Sequence, residues 1–430
     1  MRKHQVWPGW MFLVLTTACS SISPPVEAPV VADFCAVALT PHSGNSQLDG
    51  EIARLQQLSK TKRNPGPIVE QLGWTFVAKA RVSYDPGFYK LAESAARCLE
   101  TTHGRVSEGK LLRGHVLHNL HRFKEAEELA RELVVVRKGV FDYGLLGDAL
   151  MEQGQLQEAT HAYQQMLDLK PSLQSYSRAA HVRWLKGDLP GALDLMKLGA
   201  AASSPRDSES AAWAYSRLAM YELQSGHEKE ATDALNKAIE FEPGYAPALL
   251  MRGRTLLAQD KTAQAVDLLR AAAEANPLPE YLWALAEALG AANLLEEQQS
   301  VRERLARTGP EADPRTFALY LATLHESPDT ALDLAQRELR SRSDVFTLDA
   351  LAWAQASAGN FTEAHANILR ALSEGTQDAR LFYHGGLILS RAGDKSRARE
   401  LLRRAAHVQQ LLLPSERKGL AVELRQFSVD

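Results

Sequence analysis

The chain has 430 residues, 23% of them charged, and its formal net charge is −3. This near-neutral balance excludes the strongly basic surface by which nucleic-acid-binding domains attract phosphates, so we expect no nucleic-acid partner. Alanine and leucine dominate while β-branched residues are sparse, a composition that favours helices over a large sheet.

Residues 1–18 have the layout of a bacterial secretory signal peptide. A short basic region precedes the apolar run Val6–Leu15, which is too short to span a bilayer comfortably. The segment Leu-Thr-Thr-Ala-Cys, ending at Cys19, resembles a lipobox, where lipoprotein signal peptides are cut before a lipidated cysteine. That resemblance implies lipidation of Cys19 and, because Ser20 follows, an outer-membrane lipoprotein facing the periplasm. An ordinary signal peptide cut at the same place is the alternative.

Residues 19–46 contain several prolines among small polar residues and predict a tether. Cys35 lies in this tether, and Cys98 is the only other cysteine after Cys19. Two arrangements remain open: separate buried thiols, which the sequence slightly favours, and a Cys35–Cys98 disulfide. Export favours the disulfide, which would stabilise the fold by about 4 kcal/mol in the chain-entropy model.

Residues 47–104 predict N-terminal helices that lead into an atypical first repeat. Gln47–Lys62 places its apolar residues on one helical face, and the breaker Asn64–Pro67 follows. Gly73 and Ala92 are small residues in the positions of a helical hairpin. Their separation of 19 exceeds the 12 found downstream, and seven extra residues equal about two helical turns, so we expect a lengthened hairpin.

A small residue recurs at regular intervals through residues 105–408. The successive separations are 33, 33, 39, 34, 33, 33, 33 and 34 residues, and the positions are Ala126, Ala159, Ala192, Ala231, Ala265, Gln298, Ala331, Ala364 and Ala398, where Gln298 is the one exception to alanine. A second small residue usually stands twelve positions earlier, as Gly147 does before Ala159. Two antiparallel helices approach closely only where side chains are small, so each interval predicts one helix pair. Such pairs bury their apolar faces only by stacking on neighbours.

The segment Gly147–Pro171 shows the pattern most clearly. Its matching residues are Leu146, Gly147, Leu150, Gly154, Ala159, Tyr163 and Pro171. This order of small, aromatic and proline residues resembles the tetratricopeptide repeat. The resemblance covers nine units and implies an all-α fold, a right-handed α-solenoid (superhelix) of antiparallel helix pairs. Residues 409–430 then predict a polar capping helix and tail.

The first helix of each unit carries a stripe at helical spacing, at positions 2, 5, 9 and 12 when the first small residue is position 8. In proteins similar to this one, that stripe lines the concave surface. We expect a partner-binding groove here because Trp and Tyr are favoured interface anchors. The alternative is that the rings pack between neighbouring helices. The predicted groove residues are Phe141, Asp148, His181, Trp184, Trp213, Arg254, Trp283, Tyr320, Phe346, Trp353 and Tyr383.

Two segments have the outline of a ligand site. Gly104–Leu111 fits a phosphate loop except that Leu111 replaces the hydroxyl residue that holds Mg²⁺, and no strand precedes it. His115, His118 and His121 are spaced by three on one helix, without a carboxylate or cysteine at matching spacing. We therefore expect no nucleotide, no metal and no cofactor, and we expect the histidines to be polar residues of the groove or of a loop.

No catalytic motif accompanies the repeats. The sequence predicts a non-catalytic protein–protein interaction scaffold of the bacterial envelope that binds a protein or peptide partner. Outer-membrane protein insertion, secretion, pilus assembly and wall-enzyme assembly are all consistent with it. The alternatives are an accessory subunit of an envelope enzyme complex and a periplasmic metal or solute carrier.

Overall fold

The computed structural model describes residues 33–427, so the predicted signal peptide and Cys19 lie outside the described residues. Within 33–427 the chain is all-α, and nine helix pairs follow one another along residues 106–407. The pairs are α5 Val106–Asn119 and α6 Phe123–Val136, α7 Val140–Glu152 and α8 Leu156–Leu169, α9 Leu173–Leu185 and α10 Leu189–Ala201, α11 Ser208–Gln224 and α12 Glu228–Phe241, α13 Ala246–Ala258 and α14 Thr262–Ala275, α15 Pro279–Ala291 and α16 Leu295–Ala312, α17 Pro314–Leu324 and α18 Pro328–Ser341, α19 Val345–Ser357 and α20 Phe361–Leu372, and α21 Ala379–Arg391 and α22 Lys395–His407.

Small residues hold the helices of a pair together, as the spacing predicts. A Cβ added to Gly147 on α7 would lie 2.3 Å from the ring of Tyr163 on α8. Gly253 on α13 meets Leu269 on α14 in the same way, at 2.5 Å. Each first helix also packs against the next pair along the chain. The predicted all-α solenoid is therefore confirmed.

Four helices precede the nine pairs: α1 Phe34–Ala38, α2 Gln47–Thr61, α3 Gly66–Ser83 and α4 Gly87–Thr101. α3 has 18 residues, compared with 13 in α7. α1 lies in the region predicted to be a tether, but it packs against α4.

The sulfurs of Cys35 on α1 and Cys98 on α4 are bonded at 2.04 Å. The structure thus has the disulfide, and the slightly favoured pair of separate thiols is not observed. The bond fixes α1 to the repeat array, and this explains why residues 33–46 are not a free tether at their C-terminal end.

Successive turns of the superhelix pack directly on each other. Ser343 Oγ donates to the carbonyl of Gln153 at 2.9 Å across 190 residues. Thr376 Oγ1 donates to the carbonyl of Leu185 across 191 residues, and their O···O distance is 2.5 Å. Since one repeat is usually 33 residues, 190 residues correspond to just under six repeats. The turn between the two helices of one pair therefore contacts a loop between two pairs that lies about six units further along the chain.

The last of the described residues lie on the inner surface of the superhelix. A 3₁₀ turn, Gln409–Leu411, contacts α11 and α13, and the last helix, α23 Pro414–Gln426, contacts α15, α17 and α21. Glu416 on α23 is fully buried. A helix thus lies in the segment predicted to be a cap, and one face of it is covered by the first helices of three repeats. None of the described helices is both long and apolar enough to cross a membrane.

Candidate partner-binding site

A cavity of about 420 Å³ lies inside the superhelix, where the first helices of six consecutive repeats converge. Its wall is formed by Trp213, Ser216, Arg217, Met220, Leu223, Gln224, Pro247, Leu250, Met251, Arg254, Thr255, Glu280, Tyr281, Arg315, Thr316, Leu319, Phe346, Asp349, Asp378, Ala379, Arg380, Gln410 and Leu411. Three predicted groove residues, Trp213, Arg254 and Phe346, are among them. Trp213 is 38% exposed, so its indole is available to a ligand.

Four arginines line this cavity, and two of them, Arg315 and Arg380, pair with Asp344 and Glu416. Arg217 Nη2 lies 3.0 Å from Nδ1 of His181, and within residues 33–427 no carboxylate forms a salt bridge with Arg217. Arg254 donates to Glu280 at 3.0 Å and to the carbonyl of Leu411, and its buried Nε has no hydrogen-bond partner. Burial, and then the nearby charge of Arg380, lower the pKa of Arg254.

The acidic groups in the cavity wall already have partners. Asp349 lies 3.0 Å from Nδ1 of His384. Asp378 caps α21 by accepting from the backbone N–H of Leu381 at 3.0 Å, and its other oxygen accepts from Gln224 at 2.7 Å. With the carboxylates engaged and Arg217 unpaired, the cavity favours an anionic ligand group.

Five of the predicted groove rings are buried. Trp184, Trp283, Tyr320, Trp353 and Tyr383 are only 1% to 4% exposed. These rings pack against neighbouring side chains, and this was the alternative that the sequence left open. The structure therefore corrects the expectation of a continuous open aromatic groove for these five positions.

Trp184 is buried because two turns of the superhelix meet there. Its indole Nε1 donates to the carbonyl of Gln377 at 2.9 Å, 193 residues away. Its ring also lies 5.4 Å from the ring of Phe346, centroid to centroid. Phe141 occupies the equivalent repeat position to Phe346 on α7, but it remains 52% exposed. The periodicity placed these side chains on one helix face without showing what covers that face.

Asp148 and His181 form part of a buried polar cluster instead of an open groove. Asp148 pairs with Arg178 at 2.7 Å and accepts from the hydroxyl of Tyr163 at 2.9 Å. Burial alone would raise the pKa of Asp148, but Arg178 holds that pKa at about 2. Burial, and then the adjacent Arg217 cation, lower the pKa of His181 to about 3. Asp148 is therefore an ionised carboxylate that orients Arg178, and His181 is a neutral imidazole whose Nδ1 accepts from Arg217.

The C-terminal segment covers the remaining predicted groove. Trp283 donates from Nε1 to Glu287 at 3.1 Å, and Glu287 accepts from the backbone N–H of Ser415 at 3.0 Å. A second cavity, about 500 Å³, lies along α23 and is lined partly by Trp353 and Tyr383. The sequence did not indicate that Ser415 and α23 belong to this surface, because nothing local to α23 specifies contact with repeats more than a hundred residues earlier.

The two segments with the outline of a ligand site, Gly104–Leu111 and the segment with three histidines, take part in packing between helices. Within Gly104–Leu111, α5 begins at Val106. A Cβ added to Gly109 would lie 2.7 Å from the carbonyl oxygen of Ala96. The three histidines have aromatic neighbours: the ring of His115 lies 5.0 Å from that of Trp74, and His118 and His121 both contact Phe123.

Metal-ligand atoms converge at one place within residues 33–427. The atoms belong to Cys35, Cys98 and His103. The two sulfurs are joined in the disulfide, so their lone pairs belong to a cystine and not to thiolates, the form in which cysteine binds metals.

The inner cavity and the stacked helix pairs define a helical-repeat protein with an internal binding surface. Residues 145–207 and 250–313 match the family profile described as tetratricopeptide repeat. The two matched segments are thus tetratricopeptide repeats, and such repeats support a role as a protein–protein interaction scaffold.

Two solved structures of the protein MamA are similar to the chain. One is 19% identical, covers 38% of this chain and 94% of its own, and has a TM-score of 0.32. The other is also 19% identical, covers 41% and 92%, and has a TM-score of 0.29. The curated proteins gave no significant match.

Proposed function

We propose that the protein is a non-catalytic scaffold of the bacterial envelope that binds an acidic segment of a protein partner in the inner cavity. The observation that carries the proposal is the unpaired Arg217 beside the exposed indole of Trp213 in a wall whose carboxylates are engaged. Arginine and tryptophan are the residues that most often dominate protein interfaces. An acidic peptide would supply the carboxylate that Arg217 lacks.

We propose further that the scaffold is an outer-membrane lipoprotein attached through Cys19 and facing the periplasm. The lipobox-like segment supports this anchoring. Replacement of Cys19 by Ala should release the mature chain from the membrane fraction into the periplasmic fraction. An unchanged membrane fraction would show that anchoring does not depend on this cysteine.

The cavity is tested by photo-crosslinking in intact cells. A photoreactive phenylalanine derivative is placed at Trp213, and a matched control carries it at Leu295, which is 58% exposed on α16. We expect a discrete adduct from position 213 only, whose partner mass spectrometry identifies. Arg217→Gln in the same chain should abolish that adduct. Identical adducts from both positions, or none from position 213, would contradict the proposal.

A further inference from the structure

The last helix binds the inner surface through two charged pairs whose glutamates are buried. Glu416 is fully buried and accepts from Arg380 Nε at 2.6 Å, and its other oxygen accepts from the backbone N–H of Leu413 at 2.7 Å. The guanidinium of Arg380 in turn lies 4.9 Å from the centroid of the Trp283 ring. Seven residues on, Glu423 accepts from Arg391 at 2.7 Å.

Close backbone approach accompanies these charges. A Cβ added to Gly419 would lie 2.2 Å from the hydroxyl oxygen of Tyr383, so a larger residue there requires the Tyr383 ring or α23 to move. Leu420, beside it, is 1% exposed. Glu416, Gly419 and Glu423 are spaced i, i+3 and i+7, so they lie on one face of α23. That face presents two carboxylates on either side of a small residue to the first helices of the repeats.

The fit of α23 is incomplete. The cavity of about 500 Å³ beside it is lined by Trp353, Tyr383, Lys418 and Val422, among others. This volume lies in the range of ligand-binding pockets. The pocket is open to solvent, since Val422 and Phe361 in its wall are 41% and 38% exposed, so a larger ligand has room beside α23.

We infer that residues 412–427 are an internal ligand of the scaffold. The external partner presents the same chemistry, an amphipathic helix with the pattern Glu-x-x-Gly-x-x-x-Glu on the face it buries. This inference rests on the proposed function and specifies its partner. The partner helix displaces α23, pairs its glutamates with Arg380 and Arg391, and fills the adjoining cavity with a bulkier apolar side than α23 offers.

The test uses the full chain and a fluorescent peptide with the sequence of residues 412–427. Gly419→Leu dislodges α23 by collision with Tyr383, and Glu416→Lys dislodges it by repulsion from Arg380. Gly244→Leu is the matched control because no atom lies within 4 Å of a Cβ at that position. Hydrogen exchange of residues 414–426 reports whether the helix has left its site.

We expect fast hydrogen exchange of α23 in both dislodged variants. We also expect both variants to bind the peptide at least about tenfold more tightly than the wild type or Gly244→Leu does. In the latter two chains α23 occupies the site, and the apparent affinity falls in proportion to the fraction of molecules whose site is open. A peptide in which both glutamates are replaced by glutamine should lose the binding. Protected amides in both variants would show that α23 is a fixed part of the fold. Fast exchange without peptide binding would also overturn the inference.

Either negative result leaves the proposed function separately testable. If an adduct at position 213 still forms in Glu416→Lys cells, the proposed scaffold function stands and the partner has a different chemistry. Loss of all adducts at position 213 in the wild-type chain, with peptide binding intact, would instead contradict the cavity proposal.

Discussion

The packing of one superhelical turn on the next can be tested with a single methyl group. Gly187 has φ +82°, and a Cβ there would lie 2.8 Å from the carbonyl oxygen of Gly375 on the next turn. Gly359 occupies the same repeat position with φ +81°, but nothing lies within 4 Å of its Cβ. Alanine at either position therefore pays the same left-handed backbone cost, about 1–2 kcal/mol. Only Gly187→Ala also forces the two turns apart.

The additional cost at Gly187 follows from the hydrogen bonds that the separation breaks. They are Trp184 Nε1 to the carbonyl of Gln377, Thr376 Oγ1 to the carbonyl of Leu185, and Gln377 Nε2 to the carbonyl of Gly187. At about 1 kcal/mol each, they add about 3 kcal/mol.

Urea denaturation of the two variants measures this difference directly. We expect the free energy of unfolding to fall by about 4–5 kcal/mol for Gly187→Ala and by about 1–2 kcal/mol for Gly359→Ala. A difference below about 0.5 kcal/mol between the two variants would refute the reasoning, because the shared backbone cost would then account for both.

Three further changes test the interior. Cys35→Ser should lower the free energy of unfolding by about 4 kcal/mol, because the lost disulfide spans 63 residues. Excess dithiothreitol should destabilise the wild type by the same amount and should leave the stability of the variant unchanged. Arg380→Gln leaves the buried carboxylate of Glu416 unpaired and should cost about 3–5 kcal/mol in urea denaturation, whereas Lys229→Gln on the surface should change little. His181 has a pKa of about 3 in the folded chain and an ordinary pKa near 6.5 in the unfolded chain. Its contribution to the free energy of unfolding is therefore full above pH 6.5 and is lost as pH falls toward 3. His181→Gln should therefore reduce the stability lost between pH 7 and pH 5 by about 2 kcal/mol, and an unchanged pH dependence would contradict burial of the imidazole.

The repeat array was predictable because its signal is local. Gly147 and Ala159 are twelve residues apart, and the contact they permit joins the two helices of one pair. Each pair repeats the same arrangement, so nine weak signals reinforce one another. The stripe that lines the cavity follows from the same period, and it correctly brings Trp213, Arg254 and Phe346 to one wall.

The contacts between turns could not be predicted in this way. Trp184 and Trp213 occupy stripe positions with the same residue type, yet one is buried by Gln377 and the other remains available to a ligand. The difference depends on which unit lies one superhelical turn away, and a period of 33 residues contains no information on the pitch. The contacts of the C-terminal helix were hidden for the same reason, since the burial of Glu416 depends on Arg380, a residue of a distant helix.

The packing of one turn on the next also constrains how this chain can vary. In an open solenoid each repeat contacts only its neighbours, so repeats are gained or lost with little effect on distant units. Here Ser343 meets Gln153 and Thr376 meets Leu185 at offsets of 190 and 191 residues. One repeat inserted between them would move every such contact out of register by a full unit. The number of repeats within a turn is therefore fixed by geometry, and length changes are tolerated only outside the stacked region.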